Sequence, residues 1–92
     1  MNKLNGLIIR HSDMTYEMKD RVTGIIKDVL VVESANKSKV SKLITEQLNT
    51  AFPTGWICII GLNFMANISH EPRTFLRASN DHYIFLIYKS IS

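Results

Sequence analysis

Apolar residues in the first half of the chain recur at helical spacing. From Met14 to about Val32 they return every three or four positions, which predicts an amphipathic helix with N-cap residues available within 12–15. A second apolar stripe predicts another helix, which begins at a Ser38 N-cap and ends at the Pro53 turn. The polar residues between the two stripes mark a short connection.

The second half of the chain is rich in β-branched and aromatic residues, which are typical of strands. Strands are predicted at 7–9, 56–60, 62–69, 74–78 and 83–89. Gly61 allows a bend between the second and third of them. Because the helices are grouped apart from the later strands, the order predicts an α+β fold with two helices packed on an antiparallel sheet. A chain of 92 residues forms one domain, 1–92.

The composition adds one expectation to this picture, which is a surface that binds a partner. An apolar content of 46% in so short a chain exceeds what a thin core needs, which suggests a surface for a partner or a second copy. The net charge of +3 would suit an anionic partner. The basic cluster of Lys37, Lys39 and Lys42 lacks the dense stripe of a nucleic-acid binder, so we interpret it as solvated surface. A small basic nucleic-acid-binding domain stays open as an alternative.

The sequence offers few candidates for catalytic or metal-binding residues. Cys58 is the one cysteine and lies within an apolar strand, where burial makes a thiol inert, and this usage predicts a reducing, cytoplasmic location. No apolar run has the length of a membrane span, and no signal peptide is recognised. The histidines show no metal-ligand spacing, and no nucleophile or phosphate-loop motif occurs. We therefore predict no metal, no cofactor and no catalytic residues, and a binding protein rather than an enzyme.

The segment 54–71 carries the most specific pattern in the chain, a Trp-led apolar strand that closes on a His-Glu pair. It resembles the smallest class of dynein light chain, whose signature is Trp-x-Cys-Ile-x-Gly-x-Asn-Phe followed by Thr-His-Glu, with Ser69 here in place of the Thr. The matching positions are Trp56, Cys58, Ile59, Gly61, Asn63, Phe64, His70 and Glu71.

The resemblance implies a strand-swapped homodimer. The strand at 62–69 would cross to the partner's sheet, and the partner's second helix would help to bound a groove. A linear peptide from the dynein intermediate chain or another partner would add there as an antiparallel strand. The implied location is the cytoplasmic, cytoskeletal dynein complex, without a membrane or a nucleic acid.

The resemblance also implies the site residues. The groove residues are Lys37 and Ser38 at the helix start, Asn63, Phe64, Met65, Ala66, Asn67, Ile68, Ser69 and His70 on the crossed strand, Phe75, Arg77 and Ser79 on the next strand, and Leu86 on the last. The dimer-interface residues are Ile57, Leu62, Phe64 and Ile68.

Several of these residues depart from the family pattern. Met65 stands where the family has Gly, and Arg77 and Ser79 replace two tyrosines that wall the groove. Lys37 and Ser38 replace an acidic-basic pair that receives the ligand's Gln. The pattern thus predicts a divergent member, for which a structural dimerisation subunit with a degenerate groove is the alternative.

Overall fold

The structure, a computed structural model, describes residues 7–33, 36–52, 55–61 and 70–90. Its elements are β1 (Ile8–Ser12), α1 (Tyr16–Val32), α2 (Lys37–Ala51), β2 (Trp56–Gly61), β3 (Leu76–Ser79) and β4 (Ile84–Lys89). Two helices packed on an antiparallel sheet confirm the predicted fold class. The strand predicted at 62–69, with every groove and interface residue assigned to it, lies outside the described residues.

Both helices begin at a side chain that accepts a backbone N–H from the first turn. At α1 the Thr15 hydroxyl accepts from the Met18 N–H at 3.2 Å. At α2 the acceptor is the Asn36 side chain, which takes the Lys39 N–H at 3.2 Å. The predicted Ser38 N-cap is therefore wrong, because Asn36 is an equally good cap and lies two positions earlier.

The sheet has four strands in the order β1-β3-β4-β2, with antiparallel pairing at each step. Gly61 is the last residue of β2 and pairs with Ile84; the predicted bend toward 62–69 lies outside the described residues. In β1 the register with β3 shifts between Ile9 and His11. β3 begins at Leu76 rather than at 74, since the Thr74 hydroxyl donates to the Glu71 carbonyl at 2.7 Å and keeps that residue in the preceding turn.

The core lies between the helices and one face of the sheet. Fully buried side chains are Val22, Ile26, Val40, Ile44, Leu48, Leu76, Phe85 and Ile87. Trp56 is 5% exposed and its ring centroid lies 5.8 Å from that of Phe52, at the end of α2. Its predicted role as a structural anchor against the helices fits this position. None of the helices in the described ranges is long and apolar enough to cross a membrane.

The opposite, outer face of the sheet carries several of the residues predicted for the groove and the dimer interface. Cys58, Ala78 and Ile87 belong to the core, and side chains alternate between the faces along a strand. The outer face therefore presents Ile57, Ile59, Arg77, Ser79 and Leu86.

Candidate functional site

A row of paired residues crosses the outer face of the sheet. His11 on β1 pairs with Arg77 on β3, Arg77 pairs with Leu86 on β4, and Leu86 pairs with Ile59 on β2. Leu86 is 2% exposed, whereas Ile59 at the sheet edge is 40% exposed. The row thus runs from a cationic end to an apolar end, and it holds two of the predicted groove residues.

Two more predicted groove residues lie together just before the start of β3. The rings of His70 and Phe75 are stacked with centroids 5.1 Å apart, and His11 approaches Phe75 from β1 at 5.5 Å. His70 is held by a bridge to Ser90 and by a 2.8 Å contact of Nδ1 with the Glu71 carbonyl. The sheet therefore brings Phe75 and His70 into one aromatic group beside Arg77.

A cavity of about 460 Å³ opens between β1, β3 and the hairpin after β3; we call it the arginine cavity. Its lining residues are Arg10, His11, Arg77, Ser79, Asn80 and Ile84. The Arg10 Nε donates to the Ser79 hydroxyl oxygen at 2.9 Å. Sequence reasoning found Arg77 and Ser79 here but missed Arg10 and His11, because the irregular pairing of β1 with β3 has no local sequence signal.

A second cavity, of about 510 Å³, lies where the start of α2 meets the edge of β2; we call it the lysine cavity. Its lining residues are Lys37, Ser38, Ser41, Lys42, Cys58, Ile59 and Ile60. The Ser41 hydroxyl donates to the Cys58 carbonyl at 2.7 Å, which ties the helix to the strand. Within the ranges that the structure describes, no strand pairs with this edge of β2.

The predicted groove residues thus fall into two separate groups in one chain. Lys37 and Ser38 line the lysine cavity, and Arg77 and Ser79 line the arginine cavity, with no residue common to both. Strands β3 and β2 are separated by β4, so at the usual spacing they lie about 10 Å apart. Among the residues that the structure describes in one chain, these four do not line one continuous groove.

The cysteine at the lysine cavity is the clearest test of reactive chemistry among the described residues. Burial raises the pKa of the Cys58 thiol to about 12, and the hydrogen bond from Ser41 lowers it by less, so the thiol stays protonated and inert. Across 7–33, 36–52, 55–61 and 70–90, no three His, Cys, Asp or Glu residues come together as metal ligands. Ile57, predicted for a dimer interface, is half-buried on the outer face and pairs with Tyr88.

Comparison with known proteins agrees with this architecture. The family model for dynein light chain type 1 matches residues 7–90. Dynein axonemal light chain 4 of Homo sapiens and of Sus scrofa is 30% identical over 69 residues, which cover 75% of this chain and 66% of that protein. The match therefore spans slightly less than two thirds of these relatives' length. Dynein light chain 1, cytoplasmic, of Saccharomyces cerevisiae is 26% identical over 83 residues, which cover 90% of this chain and 89% of that protein.

A solved structure supports the fold independently. The dynein light chain-like domain of the Fasciola hepatica calcium binding protein FhCaBP2 superposes with a TM-score of 0.79 at 16% identity, covering 92% of this chain and 91% of that domain. Identity at this level supports the fold alone. The family match over nearly the whole chain goes further: this protein belongs to the dynein light chain family, as the Trp56 to Glu71 pattern predicted.

Proposed function

We propose that this chain is a non-catalytic dynein light chain that forms a homodimer and binds short linear peptides of the dynein intermediate chain or other partners. Binding would take place by β-strand addition in a groove that two protomers complete together. The observation that carries the proposal is the division of the predicted groove residues between the arginine and lysine cavities of one chain.

The edge of β2 supports the dimer. An edge strand with free backbone groups and apolar side chains is a template for pairing with another chain. Ile57 and Ile59 lie on the outer face of this strand, and Ile59 is 40% exposed. A strand contributed by a second copy would pair with the edge and cover this face. It would also set a groove beside the Lys37 end of α2.

A structural dimer without a working groove is the second candidate. The observation in its favour is the polar character of the outer face at β3, where Arg77 and Ser79 stand at the positions of two aromatic groove walls. A nucleic-acid-binding domain would instead use Lys37, Lys39 and Lys42, which are all exposed at the start of α2.

Sedimentation of the purified protein at micromolar concentration, alone and with an array-selected peptide, tests the proposal. We expect a dimer that takes up two peptides, with an affinity that changes little as salt is added. A monodisperse monomer would refute the dimer, and a dimer that selects no peptide would favour the structural subunit. Nucleic-acid binding would weaken steeply with salt, because bound counterions are released.

A further inference from the structure

The arginine cavity is rich in hydrogen-bond donors. Asn80 Oδ1 accepts the His82 and Tyr83 backbone N–H groups at 2.8 and 2.7 Å, which uses the oxygen and leaves the side-chain NH₂ free to donate. The Ser79 oxygen already accepts from Arg10 Nε at 2.9 Å, so its own O–H hydrogen is left for another acceptor.

The two guanidinium groups add donors and charge. The bond to Ser79 uses only the Nε of Arg10, so both of its terminal nitrogens are free for a ligand. Arg77 stands between His11 and Leu86 on the outer face, and in the described part of the chain no carboxylate forms an ion pair with either arginine. No acidic residue is among the described residues that line the cavity, although Asp81 follows Asn80 in the hairpin.

We propose that the arginine cavity binds an anionic side chain of the peptide ligand, either a phosphoserine or phosphothreonine or an aspartate or glutamate. The inference rests on the proposed peptide-binding function, because Arg77 and Ser79 also belong to the predicted groove. Planar guanidinium forks recognise carboxylate and phosphate oxygens in pairs. Two arginines, a hydroxyl and an amide supply more donors than one carboxylate uses, so the phosphorylated side chain is the better match.

Degenerate peptide pools with one fixed central residue test the inference. Fluorescence anisotropy would compare pools that fix phosphothreonine, aspartate or threonine. We expect the phosphothreonine pool to bind at least about tenfold more tightly than the threonine pool, with the aspartate pool in between. Arg10→Gln and Arg77→Gln should each reduce this preference severalfold. An aspartate pool as tight as the phosphothreonine pool would identify a carboxylate as the anion.

The matched control is Arg73→Gln, which removes the same charge from an exposed residue outside the cavity. It should leave the preference intact. Equal binding of all three pools, unaffected by Arg77→Gln, would overturn the anion site and leave peptide binding standing. An equal loss of preference in Arg73→Gln would also overturn it, because the effect would then come from net charge.

If none of the peptide pools binds, a titration with phenyl phosphate still tests the anion site separately from the proposed peptide-binding function. Backbone amide signals of Ser79 and Asn80 should shift in the wild type and not in Arg77→Gln, which would support the cavity even though the peptide function had failed. Unmoved signals would overturn the cavity. A single-stranded oligonucleotide that displaces phenyl phosphate more effectively than the phosphothreonine pool would overturn the peptide as its source.

Discussion

The Asp13 carboxylate accepts the Phe75 backbone N–H at 2.9 Å, across 62 residues of sequence. Its other oxygen accepts the Arg73 N–H at 3.2 Å, in a turn where Arg73 takes the left-handed φ of 63°. One side chain after β1 thereby fixes both ends of the turn that leads into β3. The Phe75 ring contacts the rings of His70 and His11. Because Asp13 holds the Phe75 backbone, it also positions this aromatic group.

Replacing Asp13 with Ala should destabilise the protein by about 0.5–2 kcal/mol, since two exposed backbone donors lose a charged acceptor that water replaces only in part. Asp13→Asn keeps one acceptor oxygen and should lose less. Urea unfolding of the two variants measures the difference. Equal stability of wild type and Asp13→Ala would show that water replaces the carboxylate at no cost.

The corrected helix start gives a matched pair of variants. Asn36→Ala removes the acceptor of the Lys39 N–H and should lower the free energy of unfolding by about 0.5–2 kcal/mol. Ser38→Ala replaces an exposed residue inside the first turn and should change stability by less than about 0.5 kcal/mol. Thermal unfolding of both variants checks the assignment, which the reverse order of effects would contradict.

The Cys58 thiol should make the protein less stable in alkali. Its pKa rises from an ordinary 9.0 to about 12 on burial, so above pH 9 the unfolded chain ionises while the folded chain does not. The stabilisation is complete below pH 9 and is lost as pH rises toward 12. The wild type should therefore lose about 1.4 kcal/mol more than Cys58→Ala per pH unit above the ordinary pKa. Parallel pH profiles of the two proteins would contradict the shift.

The proposed dimer should not dissociate in mild acid. The family resemblance implies that related dimers carry, at the position of Ile57, a histidine that meets its symmetry mate, whereas an isoleucine cannot gain charge. The wild type should stay dimeric from about pH 7 to about pH 5, whereas Ile57→His should dissociate in this interval. Size-exclusion chromatography across the interval measures both proteins. Wild-type dissociation near pH 6 would point to another histidine.

The departures from the family pattern should be reversible by mutation. If the groove implied by the family resemblance is present, Arg77→Tyr would return an aromatic residue of the family pattern, and Met65→Gly would return the family's Gly. The double variant should bind a Thr-Gln-Thr peptide more tightly than the wild type does, as measured by calorimetry. Either single variant serves as the control for a general effect on folding. Unchanged affinity would refute our explanation of the divergence.

Local pattern was enough to predict most of the fold. The helical stripe from Met14 to Val32 and the apolar β-branched and aromatic residues of β2 and β4 are strong short-range signals, and the described elements follow them closely. The errors occur at element ends, where neighbouring residues compete. Asn36 and Ser38 are both good N-caps, and only the folded backbone decides between them.

The arginine cavity could not be predicted from local sequence pattern. It depends on which strand lies beside β3 and on a register shift between Ile9 and His11, and both are tertiary facts. In the sequence, nothing distinguishes Arg10 from other surface cations. In the structure, its Nε donates a hydrogen bond to the Ser79 hydroxyl. The groove residues at β3 were predicted from the family resemblance, whereas the hydrogen-bond donors around them were identified only in the structure.

The position of β1 in the sheet has a consequence for synthesis. β1 pairs with β3, and Arg10 and Ser79 are 69 residues apart in the chain. During synthesis on the ribosome, the helices can therefore form before β3, the partner strand of β1, has been made. Pairings of such long range are slow, and an unpaired apolar strand is open to wrong partners in the meantime. Because β1 contains Arg10 and His11 beside its isoleucines, it is partly polar, which should reduce such wrong pairings.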